Sequence, residues 1–546
     1  MATVWPTPGV VRRMTSRAAL ALAMVVVLGA SACSSQARIT DVTHSVTPTA
    51  TPASHAPLVD PTYIYDQLAS MSGRFLHREA GFDTGLPPSQ NGHDEFAAYW
   101  AQELTHSLDG FGPRTTMDSF SFTGWRGRPA QTPAVNVEVS VPGVIHPEQV
   151  VVIACHYDAE AWSTQSAFDD ASGCAIALGV AKALGESWRQ AHVWPARTLR
   201  FIAFDAEESG IFGSYHYLNT TANGDIGNIV AMFNEEQNGI GYPLRFEGKM
   251  AYPFIPFEIN MSPLGANTLY PNPVRMTQAQ AASNARFQAL LAQANPAVFA
   301  EFRALGLGSL SYRDASGQAT AQPVFTDDQL GNAVLRDDTT GGSDELVFTE
   351  AGLPCVTYSG NSTYYYRDQP QPAWSYPYDQ PQDTLALMNI YASGHTVKSP
   401  ALVLALALPA MHTAWMLFQP DVLGQATLSG SPVVALGDVG QTVAGKPVVL
   451  DASGSYDPVS PGDAITVSWD FGDGLRASKL SVSHIYGASG TYVVTVTVQS
   501  AHGTAQLKKT VHVVTAAPFF PNPRNSYPGS GYPAPNPNVI IPQAEG

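Results

Sequence analysis

Positive charge is scarce in this chain. Its 546 residues carry 28 Lys and Arg against 45 Asp and Glu, a formal net charge of −17. A surface that acidic repels phosphate backbones, which argues against nucleic acid as a partner. Charge of either sign is sparse, at 13% of residues, while 42 Pro and 46 Gly make a loop-rich chain that suits an extracellular protein. Cysteine is rarer still. Beyond Cys33 there are Cys155, Cys174 and Cys355, an odd number, so no disulfide framework is implied. Cys155 reads as a buried strand residue, because cysteine is among the residues most often found inside. A clean bilayer-length apolar run is also missing. Residues 18–29 are too short, and residues 401–418 are interrupted by Pro409 and His412 and lack a basic flank. The latter stretch reads as a buried helix packed on a sheet.

The N-terminus carries an address. Arg12, Arg13 and Arg17 precede the short apolar run, and Ala30-Ser31-Ala32-Cys33 supplies small residues before a cysteine. This is the pattern of a secretory signal. The cysteine resembles a bacterial lipoprotein box, which implies that Cys33 becomes a lipidated first residue. Ala30 departs from the usual leucine, leaving ordinary secretion as the alternative. Either way the chain is expected to be exported, to the outer face of the cell membrane or beyond it. Losing the three arginines takes the net charge from −17 to −20.

Five regions follow from composition: a signal at 1–32, a Ser/Thr/Pro tether at 33–58, an α/β domain at 59–420, a β-sandwich at 430–515 and a Pro/Asn-rich tail expected to be disordered at 516–546. Within the α/β domain, apolar strand candidates fall at 134–141, 150–154, 198–204, 228–233 and 353–358. Helical patterns fall at 92–108, 173–185, 209–219, 277–305 and 401–418. Such alternation implies a mostly parallel sheet covered on both faces, a three-layer αβα architecture. Residues 239–340 are a long insertion that forms either a lid or a peripheral packing piece.

Two strand ends carry the chemistry. One reads Cys155-His156-Tyr157-Asp158, then Phe168-Asp169-Asp170-Ala171-Ser172-Gly173; the other reads Phe204-Asp205-Ala206-Glu207-Glu208-Ser209-Gly210. A strand that stops at a His or an acid pair and turns through small residues into a helix is how open α/β sheets build sites. A two-ion site needs a bridging carboxylate, terminal ligands for each ion and a carboxylate that handles the proton of the attacking water. His156 offers a ligand that Asp158 can orient, Asp169 can bridge, and the adjacent Glu207 and Glu208 can divide base and ligand between them.

These motifs, in this order, resemble the zinc aminopeptidase family of peptidase clan MH, which includes secreted bacterial leucyl aminopeptidases, glutamate carboxypeptidase II and the glutaminyl cyclases. The likeness runs from Gly73-Arg74 through Asn136-Val137 to Gly352-Leu353-Pro354 and Gln382-Asp383-Thr384-Leu385. It implies the zinc-exopeptidase fold and, residue by residue, His156 on the first ion, Asp169 bridging, Glu207 as general base and Glu208 on the second ion. The family's next ligand is an Asp within Asn-x-Asp. Asn234-Glu235-Glu236 stands there, so Glu236 is the expected ligand and Glu235 the fallback. The family's last ligand is a His. Tyr378-Asp379-Gln380-Pro381 puts Asp379 in its place, and the neighbouring Tyr378 is expected either to stabilise the oxyanion or to serve as a structural aromatic. An all-carboxylate second subsite of Asp169, Glu208 and Asp379 is harder than a His-containing one, so Mn, Co or another hard ion can stand in for Zn there.

Trp469-Asp470-Phe471-Gly472-Asp473-Gly474, Tyr486 and Gly490-Thr491-Tyr492-Val493-Val494 resemble the PKD domain, an Ig-like sandwich. The combined expectation is an exported metallopeptidase acting on peptides as an aminopeptidase, tied to the membrane only through Cys33, with the sandwich able to bind a polymer or the cell wall. The competing expectations are a degenerate surface protein that adheres through the sandwich, and a glutaminyl-cyclase-like acyltransferase.

Overall fold

The computed structural model describes residues 58–81, 92–122, 131–240, 258–262, 276–313, 319–323, 335–337, 343–360, 376–377, 379–393, 396–428 and 430–516. The signal and nearly all of the tether and tail lie outside them, as does Tyr378.

In chain order the α/β part runs α1 (Pro61–Arg74), α2 (Gly92–Ser107), β1 (Arg114–Phe122), β2 (Thr132–Val141), β3 (His146–His156), α3 (Ser172–Ala191), β4 (Arg197–Phe204), α4 (Phe212–His216), β5 (Ile229–Glu236), β6 (Glu258–Ser262), α5 (Gln278–Ala304), β7 (Leu335–Asp337), α6 (Glu345–Glu350), β8 (Cys355–Ser359), α7 (Leu385–Ser393) and α8 (Pro400–Leu417). Helix α1 is signed by Asp60, whose carboxylate accepts from the Thr62 and Tyr63 amides, and by Pro61 in the first turn.

The strands form one eight-stranded mixed sheet in the order β1-β2-β4-β3-β5-β8-β6-β7. Its centre, β4-β3-β5-β8, is parallel; β1-β2, β2-β4 and β8-β6 pair antiparallel, and β7 pairs parallel with β6 at the edge. Side chains alternate across it as strand geometry requires. Val151, Ile153 and Cys155 of β3 enter a large core with α1, α2, α3, α5 and α8. Val150, Val152 and Ala154 face the other way, onto Ile211, Tyr217, Leu346 and Phe348. The three-layer expectation holds.

Helix α8 is long and apolar enough to cross a membrane, yet 83% of that window is buried inside the fold. His412, on α8, has Asn295 Oδ1 at 3.1 Å from Nε2. Burial holds it down to about 3. Helix α5 takes the helical part of the 239–340 insertion into the core through Phe287, Leu291, Val298 and Phe302. Much of the remaining insertion lies outside the described residues.

One expectation fails. Cys155 and Cys174 form a disulfide across 19 residues, and Cys355 is buried outside it. The bond ties the end of β3 to the first turn of α3, a tertiary proximity that residue counting does not reveal. Replacing both cysteines with serine is expected to lower unfolding free energy by about 3 kcal/mol, the loop-closure value for a loop of this size, read by denaturant titration.

The C-terminal part is a small antiparallel sandwich with strands β9 (Pro447–Asp451), β10 (Thr466–Asp470), β11 (Ser481–Ile485), β12 (Gly490–Ser500) and β13 (Gly503–Val513). Strand β9 pairs with β11, and β10-β12-β13 pair beside the two-residue strand Arg476–Ala477. Trp469, Phe471 and Tyr486 fill its core. Asp470 accepts from the Gly472 amide, and Asp473 accepts from Leu475, closing the turn.

Candidate metal centre

Strands β3, β4 and β5 run parallel, and their carboxyl ends meet at one edge. His156 is the last residue of β3, and Glu236 the last of β5. Ala154 lies opposite Asn234, so His156 and Glu236, each two residues on, are in register and on the same face. His156 Nε2 is 2.9 Å from Asp169 Oδ1 and 3.6 Å from Glu236 Oε1. Glu235 has the opposite parity. It faces α8, where Thr413 Oγ1 donates to it at 2.5 Å, and burial pushes its carboxyl up to about 8. Glu236 is therefore the one that shares a cluster with His156.

Asp169 is held from behind. The Phe168 and Asp169 amides donate to Asp383 at 2.9 and 3.0 Å, and Tyr376 Oη also donates to it. Burial raises the Asp383 carboxyl to about 7 against these donors. Asp170 turns away from the cluster and accepts from the His156, Gly173 and Gln237 amides. Gly173 has no room for a side chain: a Cβ there would come within 1.8 Å of the Glu235 carbonyl oxygen.

After β4, Ala206 takes a left-handed φ of +58° and the chain turns through Glu207 and Glu208. Their amides donate to the two oxygens of Asp158, at 3.0 and 3.2 Å. Asp158 Oδ1 is also 3.5 Å from His156 Nδ1. One buried carboxylate thus anchors the Glu207-Glu208 turn and lies beside the imidazole. Ser166, Ile211, Gln237 and Asp379 share the positive φ of Ala206. Such backbone strain concentrates where surroundings must hold a functional geometry.

Behind this turn, His93 of α2 lies between Asp94 at 2.8 Å and Asp205 at 3.0 Å. Burial opposes its charge, but the two carboxylates prevail and hold it up at about 10. A base raised above its unfolded value of about 6.5 contributes stability in full below that pH and loses it as pH climbs to about 10. His93→Gln is expected to flatten the alkaline decline of the melting temperature across that window.

Three donors from Asp169, Glu208 and Asp379 lie within 4.8 Å of one another, as do three from His156, Asp169 and Glu236. Asp169 belongs to both sets. Asp379 is 2% exposed, and neither of its carboxylate oxygens meets a hydrogen-bond donor. Burial first, then repulsion from neighbouring carboxylates (Asp379 and Asp169 on Glu208, Asp169 and Glu160 on Asp379), pushes both well above the usual carboxylate range. His156 is held well above its usual value because Glu236, Asp158 and Asp169 outweigh its burial. Converging buried carboxylates with orphaned oxygens are what cations neutralise, so the donor set fits divalent ions.

Residues 136–249 match the profile of Peptidase family M28, and residues 429–515 match the PKD domain. The chain carries an M28 peptidase domain followed by a PKD domain. Vacuolar protein sorting-associated protein 70 of Saccharomyces cerevisiae is 39% identical over 88 residues, 16% of this chain and 10% of that protein. Human carboxypeptidase Q is 37% identical over 90 residues, 16% of this chain and 17% of its own. The chain thus spans well under a quarter of these relatives. Among solved structures, BSAP, a zinc aminopeptidase from Bacillus subtilis, aligns over 65% of this chain and 95% of its own at 12% identity, with a TM-score of 0.40.

Several residues of this M28 edge escaped the sequence reading. Ser343 Oγ donates to Glu236 at 2.5 Å, and Asn234 Nδ2 donates to Ser343 and to Glu345. Trp162 Nε1 donates to the Asp379 carbonyl at 2.6 Å. Asp344 is fully buried, and burial lifts its carboxyl to about 8. The signal that could have found Ser343, Asp344 and Glu345 is the run they form, a polar triplet placed just before an apolar stretch; Trp162 carried no such signal.

Proposed function

We propose that this M28 chain is an exported metal-dependent exopeptidase, most specifically an aminopeptidase that binds two divalent ions. The observation that carries the reading is a pair of buried three-donor clusters sharing Asp169, with Glu207 on the turn beside them. His156, Asp169 and Glu236 would hold one ion, and Asp169, Glu208 and Asp379 the other. Bound there, the ions would polarise the scissile carbonyl and acidify water.

The protein's own groups do the rest. Glu207 accepts the proton of the attacking water and returns it to the leaving amine. Asp158 fixes the base by holding its amide and that of Glu208. Asp383, itself held by Tyr376, fixes the backbone that carries Asp169. The carboxylate-only subsite favours a harder ion than the His156 subsite does. Export is supported by the N-terminal sequence and by a buried disulfide, which belongs to an oxidising compartment. Polymer or cell-wall binding by the PKD domain and lipid anchoring through Cys33 belong to the same proposal.

The test loads purified protein with Zn, Mn or Co, counts bound ion per chain, and measures hydrolysis of an amino-acyl anilide beside its N-acetylated form. Two ions and cleavage of the free-amine substrate alone are expected. Absence of both ion and hydrolysis sinks the reading. Bound ion with cleavage only of C-terminal residues, or with cyclisation of N-terminal glutamine, replaces the aminopeptidase part of it.

A further inference from the structure

Beyond the ligands, one neutral side chain reaches the shared carboxylate. Gln237 Nε2 donates to Asp169 Oδ2 at 3.0 Å, while the other oxygen, Oδ1, faces His156 Nε2 at 2.9 Å. Between them these two contacts fix the rotation of the Asp169 carboxylate plane. The Gln237 backbone is itself pinned on both sides: its amide donates to Asp170 Oδ1 at 3.1 Å, and its carbonyl accepts from the Gly360 amide at 2.7 Å. Its φ of +51° places it in the left-handed region, a cost for a residue with a long side chain. The residue after Glu236 therefore returns twice to the Asp169-Asp170 pair, by backbone to one acid and by side chain to the other.

A free carboxylate swings about its last torsion, a broad two-fold well. A bridging role needs one oxygen turned to each subsite. We infer that Gln237 is a positioning residue for the ion site, holding the Asp169 carboxylate in the orientation that serves both subsites. This rests on the assignment of His156, Asp169, Glu236, Glu208 and Asp379 as ion ligands. Groups that orient ligands by hydrogen bonds change ion affinity by about 10–100-fold when lost. The amide suits this place: it donates a hydrogen bond to a carboxylate without adding charge, where a Lys or Arg would compete with the ions and a Glu would become another ligand.

The experiment compares the full chain with Gln237→Met, which keeps side-chain length but has no N–H. Ion affinity is measured by competition with a chromogenic chelator for Zn and Mn, and the visible absorption of the Co-loaded protein reports ligand geometry. The Gln237→Met protein is expected to bind ions about 10–100-fold more weakly, to show an altered Co spectrum, and to melt, ion-free, as the parent does. Parental affinity with an unchanged spectrum overturns the inference. So does a lowered melting temperature with an unchanged spectrum, which would make Gln237 a structural residue only. A parent chain that binds no ion fails the ligand assignment itself, a different outcome from either.

Discussion

Glu207→Gln is expected to lower kcat by about 10²–10⁴-fold, the usual contribution of a positioned general base, while leaving ion content unchanged. The substitution keeps shape and hydrogen-bonding length and removes only the ability to take a proton. Glu207 suits the role by placement. It follows the left-handed Ala206 at the end of β4, its amide is fixed by Asp158 at 3.0 Å, and it is 3% exposed. Its neighbour Glu208, on the same turn, belongs to the carboxylate cluster instead. The two substitutions therefore separate. Glu208→Gln should lose the second ion and activity together, whereas Glu207→Gln should lose turnover alone, with KM changed far less than kcat. Ion analysis beside steady-state kinetics decides it. Retained turnover, or loss of ion from the Glu207→Gln protein, removes Glu207 from the role of base.

The parts of this site that could be read from the sequence are those that sit where a strand stops. His156 and the Glu207-Glu208 pair each follow an apolar strand run, and the Asp169-Asp170 pair precedes the small residues that open α3, so strand ends and the residues beyond them were legible together. The choice of Glu236 over Glu235 rests on the family resemblance, because the two are adjacent acids closing the same strand. In the structure it turns on parity: Met232 and Asn234 share a face with Glu236, and Phe233 shares one with Glu235. The helix expected at 209–219 breaks for a local reason. Positive φ at Gly210 and Ile211 delays it, α4 lasts five residues, and Tyr217–Thr221 widens into a π-type turn. The disulfide stayed hidden because Cys155 and Cys174 meet only after β3 and α3 have packed. Gln237 stayed hidden because a neutral amide carries no metal signature of its own.

The junction between the M28 and PKD domains yields the second large effect. Lys509 of β13 forms a buried ion pair with Asp225, both nearly inaccessible at 5% and 2% of their side chains. The other Asp225 oxygen accepts from the Val439 amide at 2.7 Å, and the Gly224 amide donates to the Val439 carbonyl at 2.8 Å. A second buried pair joins Arg200 of β4 to Asp438, with Tyr217 accepting from the same guanidinium at 2.9 Å. The Asp225 and Gly224 contacts fasten the sandwich to the 3₁₀ segment Asn223–Asn228, which leads directly into β5 and so to Glu236, and the Arg200 pair fastens it to β4. Lys509→Met leaves Asp225 buried without its cation. It is expected to cost about 3–5 kcal/mol, the range for breaking a buried pair from one side. Adding Asp225→Leu removes the stranded carboxylate and should recover most of that loss, since apolar replacement of a whole buried pair is often neutral. Calorimetric melting of the two variants beside the parent separates these outcomes. A single variant that melts like the parent would mean that Lys509 reaches water and that the sandwich is held by backbone contacts instead. If the loss appears as expected, ion affinity should weaken with it, because the segment that loosens is the one that delivers Glu236 to the His156 cluster.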